Sequence, residues 1–90
     1  MSSKRDRLEI INDILVSIQG KGGKIKPTHL LYKSNLSYIK MKEYLDELMK
    51  NEMVTETEEG KNKFYLITDK GHKFVAEFRK IRNFSESFGL

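Results

Sequence analysis

The sequence predicts an α+β fold that is mainly helical: a three-helix core, a β-hairpin and a C-terminal helix. Three observations carry this. Apolar residues recur at spacings of three and four in three separate stretches, the signature of helices with one buried face. Polarity alternates over residues 53–57 and 63–67, on either side of a polar loop containing Gly60, which reads as a hairpin. Ninety residues leave room for a single core, so these elements belong to one domain.

Helix 1 is expected over residues 5–19, where Leu8, Ile11, Leu15 and Ile18 form one stripe. Ile10 and Ile14 widen that stripe beyond the roughly 100° that one core contact needs. Either the helix is buried on several sides, or the extra edge meets a second subunit. Gly20, Gly22 and Gly23 end it. This glycine run lacks the preceding strand, the spacing and the Lys-Ser/Thr pair of a phosphate-binding loop. A short extended piece over 24–26 follows, since Lys26 precedes Pro27 and is biased away from the helical region. Pro27 suits the first turn of a short helix 2, which Ser34 and Asn35 stop after Lys33. Leu36 is the lone apolar residue of the turn.

Ser37 is a good N-cap for helix 3, expected over about 38–51 with Met41, Leu45 and Leu48 inward and Tyr44 beside them. After the hairpin, Thr68 and Asp69 start helix 4, which continues to about Asn83. Residues 1–84 are read as the domain, with 69–84 as its C-terminal helix and 85–90 as a frayed tail.

A short helix, a tight turn, a longer helix and then a hairpin form a helix-turn-helix followed by a wing. Charge singles out the same region. The net charge of +4 is modest, but from Gly20 to Lys42 the charged residues are Lys21, Lys24, Lys26, Lys33, Lys40 and Lys42, without an acid. From Glu43 to Glu59 they are Glu43, Asp46, Glu47, Glu52, Glu56, Glu58 and Glu59, with Lys50 the only base. The switch falls inside helix 3, so its leading half suits a polyanion and its trailing half repels one. The major groove of double-stranded DNA admits one α-helix, entered by the first turns of the recognition helix.

With Met41, Leu45 and Leu48 inward, Ile39 and Glu43 point outward and Lys40 and Lys42 lie on the flanks. Candidate DNA contacts before the helix are Lys33, Ser34, Asn35 and Ser37; the last three have turn and capping roles that suffice without DNA. In helix 3 the candidates are Tyr38, Ile39, Lys40, Lys42 and Glu43. Tyr38 either touches the backbone or packs on helix 2. Ile39 either meets a thymine methyl or is simply exposed. Glu43 either accepts from a cytosine amino group or pairs with a neighbouring lysine. On the wing, Lys61, Asn62 and Lys63 can reach the DNA backbone, opposed by Glu58 and Glu59.

Other classes find little support. His29 and His72 are the only histidines and neither sits in a recognisable catalytic or metal-ligand spacing, so neither an enzyme nor a cofactor or metal site is expected. There is no cysteine. No long apolar run could span a membrane, and the charged start Met1-Ser2-Ser3-Lys4-Arg5 does not read as a signal peptide, so a cytoplasmic setting is expected.

The segment Lys26-Pro-Thr-His-Leu-Leu-Tyr-Lys-Ser-Asn-Leu-Ser-Tyr38, followed by Met41 and Tyr44-Leu45, resembles the helix-turn-helix core of small archaeal winged-helix proteins. Tyr65-Leu-Ile-Thr-Asp-Lys-Gly71, with Phe74 three residues on, is similar to their junction from wing to last helix, a pattern shared with PadR-like and MarR-like regulators. The resemblance implies a transcription regulator or DNA-organising protein, and dimerisation through the C-terminal helix, which in some members is a long antiparallel coiled coil. Helix 4, ending near Asn83, is short for that. Its own residues permit a seam: Phe74, Phe78, Ile81, Ser85 and Phe88 follow a four-three rhythm, interrupted by Ser85 and lasting barely two heptads. The expected homodimer interface is Ile10, Ile14, Phe74, Phe78, Ile81, Phe84 and Phe88.

The expected function is sequence-specific or semi-specific binding of double-stranded DNA in transcription regulation. The alternative is a winged-helix protein-interaction module without DNA binding, favoured by the acidic stretch from Glu43 to Glu59.

Overall fold

The computed structural model describes residues 5–90; the readings of Met1 to Lys4 lie outside it. The element order is α1 (Arg7–Gln19), β1 (Lys24–Ile25), α2 (Pro27–Ser34), α3 (Tyr38–Lys50), β2 (Val54–Glu59), β3 (Asn62–Ile67) and α4 (Asp69–Ser87).

α1 begins two residues later than its apolar period suggests, because Asp6 starts it. The Asp6 carboxylate accepts from the Glu9 N–H at 2.9 Å, and the Glu9 carboxylate accepts from the Asp6 N–H at 3.0 Å. This reciprocal pair satisfies two otherwise free donors. The spacing Asp6…Glu9 was visible in the sequence and is the signal the periodicity overran. α2 begins at Pro27 and continues one residue past the expected stop, to Ser34; Asn35 then takes a left-handed conformation (φ 56°). Such a backbone is tolerated by asparagine better than by most side chains. The Arg5 guanidinium donates to the Ser34 carbonyl at 3.0 Å and pairs with Asp13 at 2.8 Å, placing a cation at the negative end of α2.

α3 starts as expected, with the Ser37 hydroxyl accepting from the Lys40 N–H at 3.2 Å. At its far end the Met53 N–H reaches the Leu48 carbonyl and the Glu52 N–H the Met49 carbonyl. That closure requires a left-handed residue, and here it is Glu52 (φ 63°) rather than glycine.

The strands form one antiparallel sheet in the order β1-β3-β2. The register pairs Ile25 and Glu56 with Tyr65, from opposite sides, and Glu58 with Lys63. Side chains alternate across a strand, so Val54, Glu56, Lys63 and Tyr65 share one face while Lys24, Glu59 and Phe64 share the other.

The core gathers Ile11, Ile14, Leu15 and Ile18 of α1 with Ile25, Leu30, Met41, Leu45, Leu48, Val54, Tyr65 and Val75. α1 packs against α2, α4, β1 and β3, which is why its apolar face is wide. Ile14 is fully buried in this core and Ile10 packs against it, so Ile14 has no surface to offer a second subunit. The expected place of Ile14 in a dimer interface is therefore corrected, while Ile10 is half-buried. Leu8, in the first turn, is exposed despite belonging to the predicted stripe.

α4 is longer than expected. It runs through Asn83 and Ser85 to Ser87, so residues 85–87 are helix rather than tail. The rings of Phe84 and Phe88 meet in a tilted arrangement one turn apart, with centroids 5.0 Å apart, and the Leu90 and Gly89 amides close the end on the Ser85 and Glu86 carbonyls.

A candidate nucleic-acid interface on the helix-turn-helix and wing

The turn between α2 and α3 and the first turn of α3 form one exposed surface. Lys33, Asn35 and Ser37 are exposed, as are Tyr38 (58%), Ile39 (69%) and Lys40. Tyr38 is not packed away, and Ile39 is a large apolar side chain left open to water at the second position of the helix. Ser34 does not join them. It is buried, its hydroxyl donates to the Leu31 carbonyl, and its own carbonyl is taken by Arg5. The expectation that Ser34 contacts DNA is corrected accordingly: the extra residue of α2 turns this side chain toward the core.

The lysines divide by partner. Lys42, expected on a free flank, is half-buried, and its ammonium donates to the Tyr65 hydroxyl at 3.4 Å, joining α3 to the central strand of the sheet. Lys40 pairs loosely with Glu43 at 3.5 Å, which meets the lysine-pairing reading of Glu43. Lys61 and Asn62 are exposed at the wing tip. Lys63 pairs with Glu56 at 2.9 Å, with its ammonium 5.7 Å from the centre of the Tyr65 ring. The hydrogen bond that Lys63 donates to Glu56, followed by the field of Tyr65, raises the Lys63 pKa above its ordinary value, with a smaller contribution from Tyr38.

Two further ion pairs join distant parts of the chain. Lys24 donates to both Glu59 carboxylate oxygens, at 2.8 and 2.9 Å, with its ammonium 4.8 Å over the Phe64 ring. Arg7 pairs with Glu47 and lines, with Lys40, Glu43 and Tyr44, a polar cleft of about 200 Å³ between α1 and α3. Among the described residues, no ion pair engages Lys21, Lys26, Lys33, Lys42 or Lys61.

On α4, Phe74 and Phe78 stack with centroids 6.0 Å apart and are half-buried, Phe74 against the core. Ile81, Phe84 and Phe88 are 65%, 66% and 66% exposed. The expected interface thus splits into a part already covered and a distal part that is open. His72 hydrogen-bonds the Gln19 side chain at 2.8 Å. Among the described residues no three potential metal ligands converge, and no helix is long and apolar enough to cross a membrane.

A short helix, a turn, a recognition-type helix and a hairpin wing within a three-stranded sheet define a winged helix-turn-helix protein, and the chain belongs to that family: the family's pattern matches residues 4–86. Among its relatives of solved structure is Sso10a-2, a DNA-binding protein from Sulfolobus solfataricus, 32% identical, with a TM-score of 0.77 over 94% of this chain and 90% of that one. MepR, a transcription regulator of the Staphylococcus aureus multidrug efflux pump MepA, superposes with a TM-score of 0.76 over 88% of this chain and 60% of its own; at 15% identity the likeness is one of fold. An uncharacterised protein of Methanocaldococcus jannaschii is 29% identical over 80 residues. That match covers 89% of this chain and only 35% of the relative's length.

Proposed function

We propose that the chain binds double-stranded DNA as a non-enzymatic transcription regulator or DNA-organising protein, with the leading turn of α3 in the major groove and the wing tip on the backbone. One observation carries the reading: Tyr38, Ile39 and Lys40 stand exposed at the start of α3, with Lys33 and Asn35 exposed before them, and Lys61 and Asn62 are exposed at the tip of the hairpin. The free N–H groups of that first helical turn add donors for phosphate. The named DNA-binding activity of Sso10a-2, at 32% identity, supports the same reading. Lysine–phosphate contacts supply most of the affinity. Each steepens the dependence of log K on log salt by about 0.9, so four such contacts give a slope near –3.5.

The test is anisotropy of a labelled duplex across a salt series, with Lys40→Glu and Lys42→Glu alongside. Both substitutions weaken binding and flatten the slope. Absence of binding at low salt overturns the proposal. Binding indifferent to both substitutions moves the site off α3. The exposed acids Glu43 and Asp46 on the trailing part of α3 favour a second reading, a protein-interaction module, which the first of these outcomes would leave standing.

The chain is also proposed to act as a homodimer through the distal part of α4, where Ile81, Phe84 and Phe88 are exposed and Phe78 is half-buried. Two symmetry-related recognition helices would then address half-sites about 10 base pairs apart, or a multiple of that.

A further inference from the structure

Two lysines of the sheet, Lys63 on the hairpin and Lys24 on β1, are held by carboxylates of the hairpin. Lys63 sits on Glu56 at 2.9 Å, on the sheet face that carries Tyr65 and receives Lys42 of α3. Lys24 sits on both oxygens of Glu59, on the opposite face. Glu58 lies directly across from Lys63 in the strand register, yet Lys63 reaches past it to Glu56, and no ion pair engages Glu58 among the described residues. We propose that Glu56 and Glu59 compete with DNA phosphates for Lys63 and Lys24, so that the wing carries a built-in brake on its own binding.

The inference rests on the DNA-binding reading and deepens it. Both pairs are solvent-exposed, so each holds its lysine only by a factor of roughly 1.5 to 5. That is enough to act. A phosphate must displace the carboxylate before it gains the lysine, and the displaced carboxylate stays beside the polyanion. A lysine shared in this way contributes less than its full share of counterion release, so the wild-type salt slope falls short of what its lysine count predicts. The pairing also explains a wing whose acids stand beside the bases expected to hold DNA: Glu56, Glu58 and Glu59 share the hairpin with Lys61 and Lys63.

The experiment measures duplex affinity by anisotropy over a salt series for the wild type, Glu56→Gln, Glu59→Gln and Glu58→Gln. A Lys63→Gln background closes a double-mutant cycle with Glu56→Gln. Glu56→Gln and Glu59→Gln are each expected to tighten binding about two- to fivefold and to steepen the slope by up to about 0.9. Glu58→Gln removes the same charge from the same hairpin without freeing a lysine, and leaves the slope unchanged. In the Lys63→Gln background, Glu56→Gln loses most of its gain. Equal tightening by Glu56→Gln with and without Lys63, or a slope change from Glu58→Gln matching that from Glu56→Gln, overturns the inference while leaving DNA binding intact. Failure of the wild type to bind any duplex at low salt overturns the DNA reading itself. Urea-unfolding midpoints of the variants confirm that each is folded.

Discussion

Replacing Gly71 with alanine probes the contact that seats α4 against the hairpin. A Cβ at this position lies 2.5 Å from the Met53 carbonyl oxygen and 2.7 Å from Cγ1 of Ile67. Carbon atoms in good contact sit roughly 3.5–4.0 Å apart, so about 1 Å of movement is needed. Neither neighbour yields easily. The Met53 carbonyl accepts the Thr68 N–H at 3.1 Å, while the Thr68 hydroxyl donates to the Glu52 carbonyl at 2.7 Å and accepts the Gly71 N–H at 3.1 Å. Ile67 ends the central strand and packs against the core. Overpacking of this kind costs about 1–3 kcal/mol, and loss of the Met53–Thr68 bond adds roughly 0.5–1.5 kcal/mol. The helix preference of alanine over glycine returns about 1 kcal/mol. The net expectation is a loss of about 0.5–3.5 kcal/mol, from a total of roughly 5–13 kcal/mol for a domain of this size. Urea unfolding followed by far-UV circular dichroism measures it. Ala76→Gly, on the exposed side of the same helix, calibrates the propensity contribution at about 1 kcal/mol. A Gly71→Ala protein as stable as the wild type, or more so, would refute the reasoning, because helix propensity would then outweigh the close approach.

Other substitutions test separate parts of the structure. Glu52→Gly should stabilise by about 0.5–1 kcal/mol in the same urea assay, because Glu52 holds a left-handed backbone (φ 63°) that glycine adopts freely; a loss of stability would contradict the assigned helix end. Ile39→Ala should leave the unfolding midpoint nearly unchanged, as befits an exposed residue, while weakening duplex binding about five- to tenfold; a large drop in stability would place Ile39 in the core instead. Phe84→Glu should convert a dimer into a species of the 10.6 kDa chain mass in sedimentation, with helix content retained. A wild type that already sediments at the chain mass at micromolar concentration would rule out the α4 seam.

The elements themselves were legible in the sequence because what makes them is local. Pro27, Ser37 and Thr68 act on backbone groups within four residues, and the apolar periods of α1 and α3 need only their own turns. Asp6 and Glu9 were equally local and equally legible, though the helical period alone overran them. Some properties depended on the assembly. Whether 24–25 is a loop or an edge strand was decided by β3, some forty residues on, offering it Tyr65 and Leu66. Ile14 and Ile81 are the same residue type on amphipathic helices, yet one is sealed by α2, α4 and the sheet and the other is open. Ser34 left the candidate surface through a single extra residue of α2. The charge block running from Gly20 to Lys42 was plain in the sequence, and it singled out the turn and the start of α3, which the structure leaves exposed. It could not say which lysines are free. Lys24 finds Glu59 across 35 residues and Lys42 finds Tyr65 across 23, because antiparallel register and helix packing, rather than sequence distance, decide which acceptor lies within reach of a flexible ammonium. The sequence by itself determined the elements, their caps and the sign of the charge on the turn and α3; the tertiary structure decided which of those charges remain available to a partner.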